Sequence, residues 1–313
     1  MGLTVQCKQP VGGELHEVKR CGGNLLLVTF DHVAARLTIL GSGSGGNCSY
    51  LECGETRILI DAGFSGRQIR QRLATIGRTP ETLTGILITH EHSDHVQGLT
   101  ALTAKLKVPI YCNRLTKEAL DQQVQGRADF RVFSTGSSFE VGEMSVDSFS
   151  IPHDANDPVG FLVKTAFAKV GFLTDLGQAT KLVLERVRGA TALLLEANYD
   201  VKLLNEDSRR PWSVKQRIQS RHGHLSNDAA AEVAEQILSA ELKQLFLGHL
   251  SRDCNTPELA SAAVTNRLAG IGGAHVRVAV VSQEAPTETC CFEADPSVAA
   301  SACDPAPVQV SSS

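Results

Sequence analysis

The stretch Gly85-Ile-Leu-Ile-Thr-His-Glu-His-Ser-Asp-His95 decides how this chain is read. An apolar run ends at Thr89, and three imidazoles and a carboxylate follow at His90, His92, Asp94 and His95. Gly85 to Thr89 has the character of a buried strand. In an extended segment His90 and His92 project to the same side, because side chains alternate with period two. The chain then turns into a helix beginning near Val96. Asp94 and His95 can therefore point toward a second ion, about 3.5–4 Å from the first in the usual two-metal arrangement. Imidazole and carboxylate suit borderline cations such as zinc. A solvated polar loop is the alternative, but histidines clustered between apolar runs serve no packing purpose.

Two ions need more donors than one loop supplies. Three candidates stand where other apolar strands should end: His153 in Ile-Pro-His-Asp-Ala, Asp175 after Val-Gly-Phe-Leu-Thr, and His249 after Leu-Phe-Leu-Gly. Strand ends are where sites collect in open sheets. The expected grouping is His90, His92 and His153 around one ion, and Asp94, His95 and His249 around the other. Asp175 would bridge the two. Asp61, at the end of another apolar strand, is expected to support the histidine loop by hydrogen bonding.

Composition sets the frame. The 313 residues are 42% hydrophobic and 20% charged, enough for one large globular domain. No apolar stretch approaches the roughly 20 residues that cross a bilayer, and Asp31 and His32 interrupt the longest, Leu25 to Ala35. No basic segment leads into an apolar core at the N-terminus, so the expected location is the cytoplasm. The nine cysteines are scattered without a Cys-x-x-Cys pair and read as small core or tail residues.

Three zones emerge. Residues 1–35 read as an N-terminal extension. Residues 284–313 read as a disordered acidic tail, with five acids and no Lys or Arg. The net charge is −4 and residues 1–35 are neutral, so residues 36–283 carry +1 and the acidity lies in the tail. The middle zone alternates strands with helices. Strands are expected at 37–40, 49–52, 57–60, 85–89, 144–149, 159–163, 170–173, 191–195, 244–247 and 276–281. Helices are expected at 65–76, 96–106, 116–124 and 226–238, and from Pro257 to about Leu268, with Ser226 as N-cap. Two runs of strands, each with helices, predict an α+β fold: a four-layer αββα sandwich.

The His-x-His-x-Asp-His motif, followed by spaced His, Asp and His, resembles the metallo-β-lactamase superfamily. The similarity is closer still to its YycJ/WalJ-like branch of bacterial hydrolases. Supporting segments include Gly41-Ser-Gly-Ser-Gly-Gly-Asn47, Ile60-Asp-Ala-Gly63, Pro152-His-Asp-Ala-Asn-Asp-Pro158, Leu195-Glu-Ala-Asn198, Gly223-His-Leu-Ser-Asn227 and Leu247-Gly-His-Leu-Ser251. They lie within about 36–283. The sequence departs from the branch at Leu176 and Tyr199, and neither change removes an expected ligand. The resemblance implies two divalent metal ions, zinc or manganese with iron also accepted. It implies a phosphodiesterase or nuclease acting on DNA as a 5′ exonuclease, with a metal-bridging hydroxide as attacking group and Asp94 in the catalytic set.

The residues add partial support. Arg209, Arg210, Lys215, Arg217 and Arg221 fall within 13 positions that contain no acid and hold the only tryptophan, Trp212. Two readings stand: a phosphate-contacting stretch, or a solvated helix face. His224, just before an expected helix N-terminus, is the candidate general acid. A phosphate-binding or supporting role is its rival. Asp154 and Asn227 are further supporting candidates. Three other functions share parts of this pattern. They are a thioester hydrolase of the glyoxalase II kind, an RNA-processing endonuclease and a non-catalytic metal-binding regulator. Only 73 residues separate Asp175 from His249, too few for a large inserted clamp domain plus the ordinary elements.

Overall fold

The computed structural model describes residues 16–21, 24–29, 34–124, 126 and 128–293, with side chains from residue 34 onward. The N-terminal extension contains two antiparallel strands, β1 (His16–Cys21) and β2 (Asn24–Thr29), joined in a ladder.

The first sheet is built from β3 (Ala34–Gly41), β4 (Cys48–Cys53), β5 (Thr56–Ile60), β6 (Gly85–Leu87), β7 (Pro109–Asn113) and β8 (Asp129–Phe133). Helices α1 (Gly66–Thr75), α2 (Ser93–Val96), α3 (Leu99–Thr103) and α4 (Arg114–Val124) fall between its later strands. The second sheet comprises β9 (Ser138–Val141), β10 (Met144–Ser150), β11 (Val159–Lys164), β12 (Lys169–Leu173), β13 (Ala192–Glu196), β14 (Gln244–Gly248) and β15 (Arg277–Val280). Its helices are α5 (Lys181–Val187), α6 (Val201–Glu206), α7 (Trp212–Ile218), α8 (Asn227–Ile237) and α9 (Pro257–Gly270). A last strand, β16 (Cys290–Glu293), returns to pair antiparallel with β3 and makes seven strands in each sheet.

Side-chain alternation explains the layers. On β13, Ala192 and Leu194 enter the core shared by the two sheets, while Leu193 and Leu195 enter the core beneath the outer helices. On β5, Ile58 and Ile60 face the partner sheet and Leu59 faces α1 and α3. Strands apolar on both faces must be covered on both faces, and this produces helix, sheet, sheet, helix. Local signals start the helices. Ser65 and Gln68 form a reciprocal capping box at α1, which buries Ile69 and Leu73 one turn apart. Ser226 caps α8 by accepting from the Ala229 N–H.

The expected tail boundary requires correction. The chain after residue 283 continues into the first sheet: Thr287 N–H donates to the Ile39 carbonyl, and Phe292 is buried in the inter-sheet core. A ladder to β3 and one buried aromatic ring offset the ordering cost that the composition alone had suggested was prohibitive. The rest of the expected tail, 294–313, lies outside the described residues. Among the described residues no helix is long and apolar enough to cross a membrane. Cys48, Cys53, Cys112 and Cys254 are buried and free.

Candidate metal centre

Strand ends deliver the site. Asp61 follows β5, Asp175 follows β12 and His249 follows β14. All three have left-handed backbone, with φ of 61°, 56° and 56°. Such a conformation costs roughly 1–3 kcal/mol at a non-glycine residue and collects at functional sites. No other non-glycine residue among those described has positive φ. Gly63 completes the seat: a Cβ there would stand 1.6 Å from the Asp94 carbonyl oxygen, so only glycine lets the histidine loop lie against this turn.

The expected donors converge. Donor atoms of His90, His92 and His153 lie within 4.8 Å of one another, as do those of Asp94, His95 and His249. Asp175 stands between the groups. Its Oδ2 is 2.8 Å from His95 Nε2, and its Oδ1 is 3.7 Å from His153 Nε2 and 3.5 Å from His249 Nδ1.

Hydrogen bonds set the histidine tautomers. Thr89 Oγ1 donates to Asp61 and can therefore accept from His90 Nδ1, 3.0 Å away. His95 Nδ1 donates to Asp61 Oδ2 at 2.7 Å, and His249 Nδ1 donates to Glu196 Oε1 at 2.8 Å. His153 Nδ1 donates to the Gly223 carbonyl at 3.3 Å. Each ring thus turns Nε2 toward the shared cavity. His90 Nε2 and His249 Nε2 are fully buried there without a hydrogen-bond partner, and Asp175 Oδ2 faces His95 Nε2 across 2.8 Å. Buried polar atoms are rarely orphaned. Two orphaned imidazole nitrogens, one in each donor group, fit a cation bound in each.

The charges concur. Burial acts to raise the Asp175 carboxyl, but positive charge on His249 and His95 outweighs it and holds the group well below the usual range. Burial pushes the His90 ring well below its ordinary value, with the neighbouring His95 charge adding to this, so the ring is a neutral donor. At His95 the carboxylates of Asp61 and Asp175 overcome burial and raise the ring well above its usual value. Cations bound at Nε2 would take the place of those protons.

Glu196 is the residue that sequence reasoning missed. It ends β13 and is completely buried. Its Oε1 accepts from His224 Nδ1 at 2.7 Å as well as from His249. Its Oε2 accepts from the Leu176 and Leu225 N–H groups. With its oxygens so occupied, Glu196 orients two imidazoles. The available signal was its place, a carboxylate at the end of an apolar strand, the same mark that singled out Asp61.

His224 stands beside the donors, its Nδ1 3.7 Å from Asp175 Oδ1 and its side chain 23% exposed. Burial alone would lower its proton affinity, but Glu196 outweighs it and raises the ring above its ordinary value. Asp154 Oδ1 lies 3.3 Å from His153 Nε2, while Oδ2 accepts from Arg217.

Two expectations are corrected. Asn227 touches none of the donors. It exchanges side-chain hydrogen bonds with Asn255, which in turn holds the Ala197 carbonyl, so it braces the segment after Glu196. The basic stretch is not one phosphate surface. Arg209 and Arg210 are paired with Asp207 and Asp253. Lys215 is buried and donates to the Asn205 carbonyl. Arg221 donates to Gln178. Arg217, 71% exposed beside Asp154, is the member that faces the site. Asp207 lies just outside the acid-free stretch and Asp253 far from it in sequence, so folding alone reveals these pairs.

Two helix-flanked sheets with this donor set at their edge define a class: the chain belongs to the β-lactamase superfamily. The model described as "Beta-lactamase superfamily domain" matches residues 56–249. The chain is 39% identical over 241 residues to a Streptococcus pneumoniae protein named exodeoxyribonuclease WalJ, covering 76% of this chain and 89% of that protein. It is 35% identical over 233 residues to exodeoxyribonuclease YycJ of Bacillus anthracis, covering 74% and 88%. Among solved structures, the metallo-β-lactamase fold protein YhfI of Bacillus subtilis shares the fold with a TM-score of 0.65 at 15% identity. That match covers 82% of this chain and 99% of that one.

Proposed function

We propose that this chain is an exodeoxyribonuclease: a hydrolase that cuts phosphodiester bonds of DNA from a 5′ end, dependent on two divalent metal ions. The observation that carries the metal dependence is the clustering of the donor atoms into overlapping groups, each within 4.8 Å, with the imidazole nitrogens His90 Nε2 and His249 Nε2 buried and unpartnered. The names of the bacterial relatives support DNA as the substrate, and the family resemblance supports the 5′ polarity.

His90, His92 and His153 would hold one cation, Asp94, His95 and His249 the other, and Asp175 would face both. Zinc and manganese suit these donors, and iron is also accepted. When bound, such a pair makes a nucleophile available from water near neutral pH and neutralises charge on a phosphoryl group. The protein supplies the rest. Asp61 and Glu196 fix the His95 and His249 rings. His224, with Nδ1 committed to Glu196, presents Nε2 outward and can give its proton to the departing oxygen. Arg217 offers its guanidinium to a substrate phosphate.

The test is cleavage of end-labelled DNA by Asp94→Ala and His224→Ala, with a glutathione thioester assayed in parallel. Both variants should fold and lose cleavage. Wild-type cutting by both, or turnover of the thioester in place of DNA, would overturn the reading.

A further inference from the structure

Two recesses flank the donors, and they differ in size and chemistry. One reaches the centre at Asp94 and is lined by Ser44, Glu91, Ser93, Gln97 and Gln123, with a volume of about 460 Å³. The other reaches it at His224, is walled by Val214, Ile218 and Gly223, has Asp154 and Arg217 at its rim, and measures about 120 Å³. They share no lining residue. Val214 and Ile218 stand one turn apart on α7 and so form one face. Gly223 makes the adjoining surface bare backbone: a Cβ there would meet the Ile218 carbonyl oxygen at 2.1 Å.

We propose that the small recess seats the nucleobase of the terminal nucleotide, the one released by the cut; this rests on the nuclease reading above. Aliphatic walls cannot solvate a phosphate, but they suit the flat face of a base. The volume is far below the roughly 300–1,000 Å³ of pockets that take drug-sized ligands, which limits the occupant to a single ring system. Val214 is 40% exposed, so its apolar surface is presented to whatever enters. The larger recess at Asp94 then carries the continuing strand. A one-nucleotide seat on one side and an open trough on the other is the shape required to remove single nucleotides from an end.

The experiment uses the metal-loaded full chain and single-stranded DNA labelled at the far end. Its terminal nucleotide is either normal or an abasic tetrahydrofuran analogue. The wild type should cut the abasic end with kcat/KM lower by on the order of tenfold, the worth of burying one ring face against aliphatic side chains. Val214→Phe, which fills the recess from its exposed rim, should bring that ratio close to one. Equal cutting of both ends by the wild type would overturn the proposal, as would full discrimination in a folded Val214→Phe. If the wild type cuts neither DNA, the nuclease reading falls and takes this proposal with it. If it cuts both equally, the nuclease reading stands and the base seat alone is refuted.

Discussion

The Nδ1 of His224 lies 2.7 Å from Oε1 of Glu196, a carboxylate buried completely at the end of β13. The same oxygen also receives His249 Nδ1. One buried charge therefore orients both a metal-donor ring and the ring assigned to proton transfer. Glu196→Gln keeps the shape and removes the charge. Metal affinity or turnover should fall 10- to 100-fold. The alkaline limb of the rate profile should move to lower pH, because Glu196 is what keeps His224 protonated against burial. Titrating kcat against pH with metal content measured in parallel checks both.

Metal-free protein should be most stable near pH 6.5. His95 and His249 are raised, so their contribution is complete below the unfolded value of about 6.5 and is lost as pH climbs through their folded values. His90 and His153 are lowered, so the protein loses stability as pH falls below that same value. Asp175 adds a further acid loss as pH drops from about 3.9 through its lower folded value. Melting curves of chelated protein across pH should show the maximum. Metal loading should abolish the alkaline decline, because the ions replace those protons.

Gly63→Ala should damage the centre without touching a donor. Its Cβ would collide with the Asp94 carbonyl oxygen and stand 2.6 Å from the Asn47 nitrogen. Overpacking of this kind costs about 1–3 kcal/mol. Calorimetry should show a lowered Tm, and elemental analysis a loss of bound metal.

Within the basic stretch, Arg217→Ala should weaken single-stranded DNA binding. It should also reduce the slope of log K against log salt by roughly 0.7, the share of one phosphate contact. Arg209→Ala should leave that slope unchanged, because Asp207 and Asp253 hold Arg209, whereas Asp154 holds Arg217 beside His153 in the donor cluster. Fluorescence anisotropy over a salt series separates them.

Much of this site was legible because its donors carry a local mark, a polar ligand type directly after an apolar strand. That mark singles out His90, His153, Asp175 and His249, which the fold brings into the candidate donor groups. Glu196 carries it too, but its meaning lies in partners from α8's approach and from β14, which only folding brings to it. The fold was legible through strands apolar on both faces. The interior strand β7 and the edge strands β8, β9 and β16 were not, whereas the edge strand β15 was expected at 276–281: β8 alternates weakly, with Val132 half exposed, and β16 sits in a segment of tail-like composition. The basic stretch misled because charge type is local whereas charge pairing is tertiary.

The central claim is that seven side chains hold two cations on which cleavage depends. The direct measurement is elemental analysis of purified protein joined to cleavage of 5′-labelled DNA before chelation, after it and after metal is restored. Two divalent ions per chain are predicted, with cleavage lost on chelation and recovered on addition of zinc or manganese. Undiminished cleavage by metal-free protein would contradict the account.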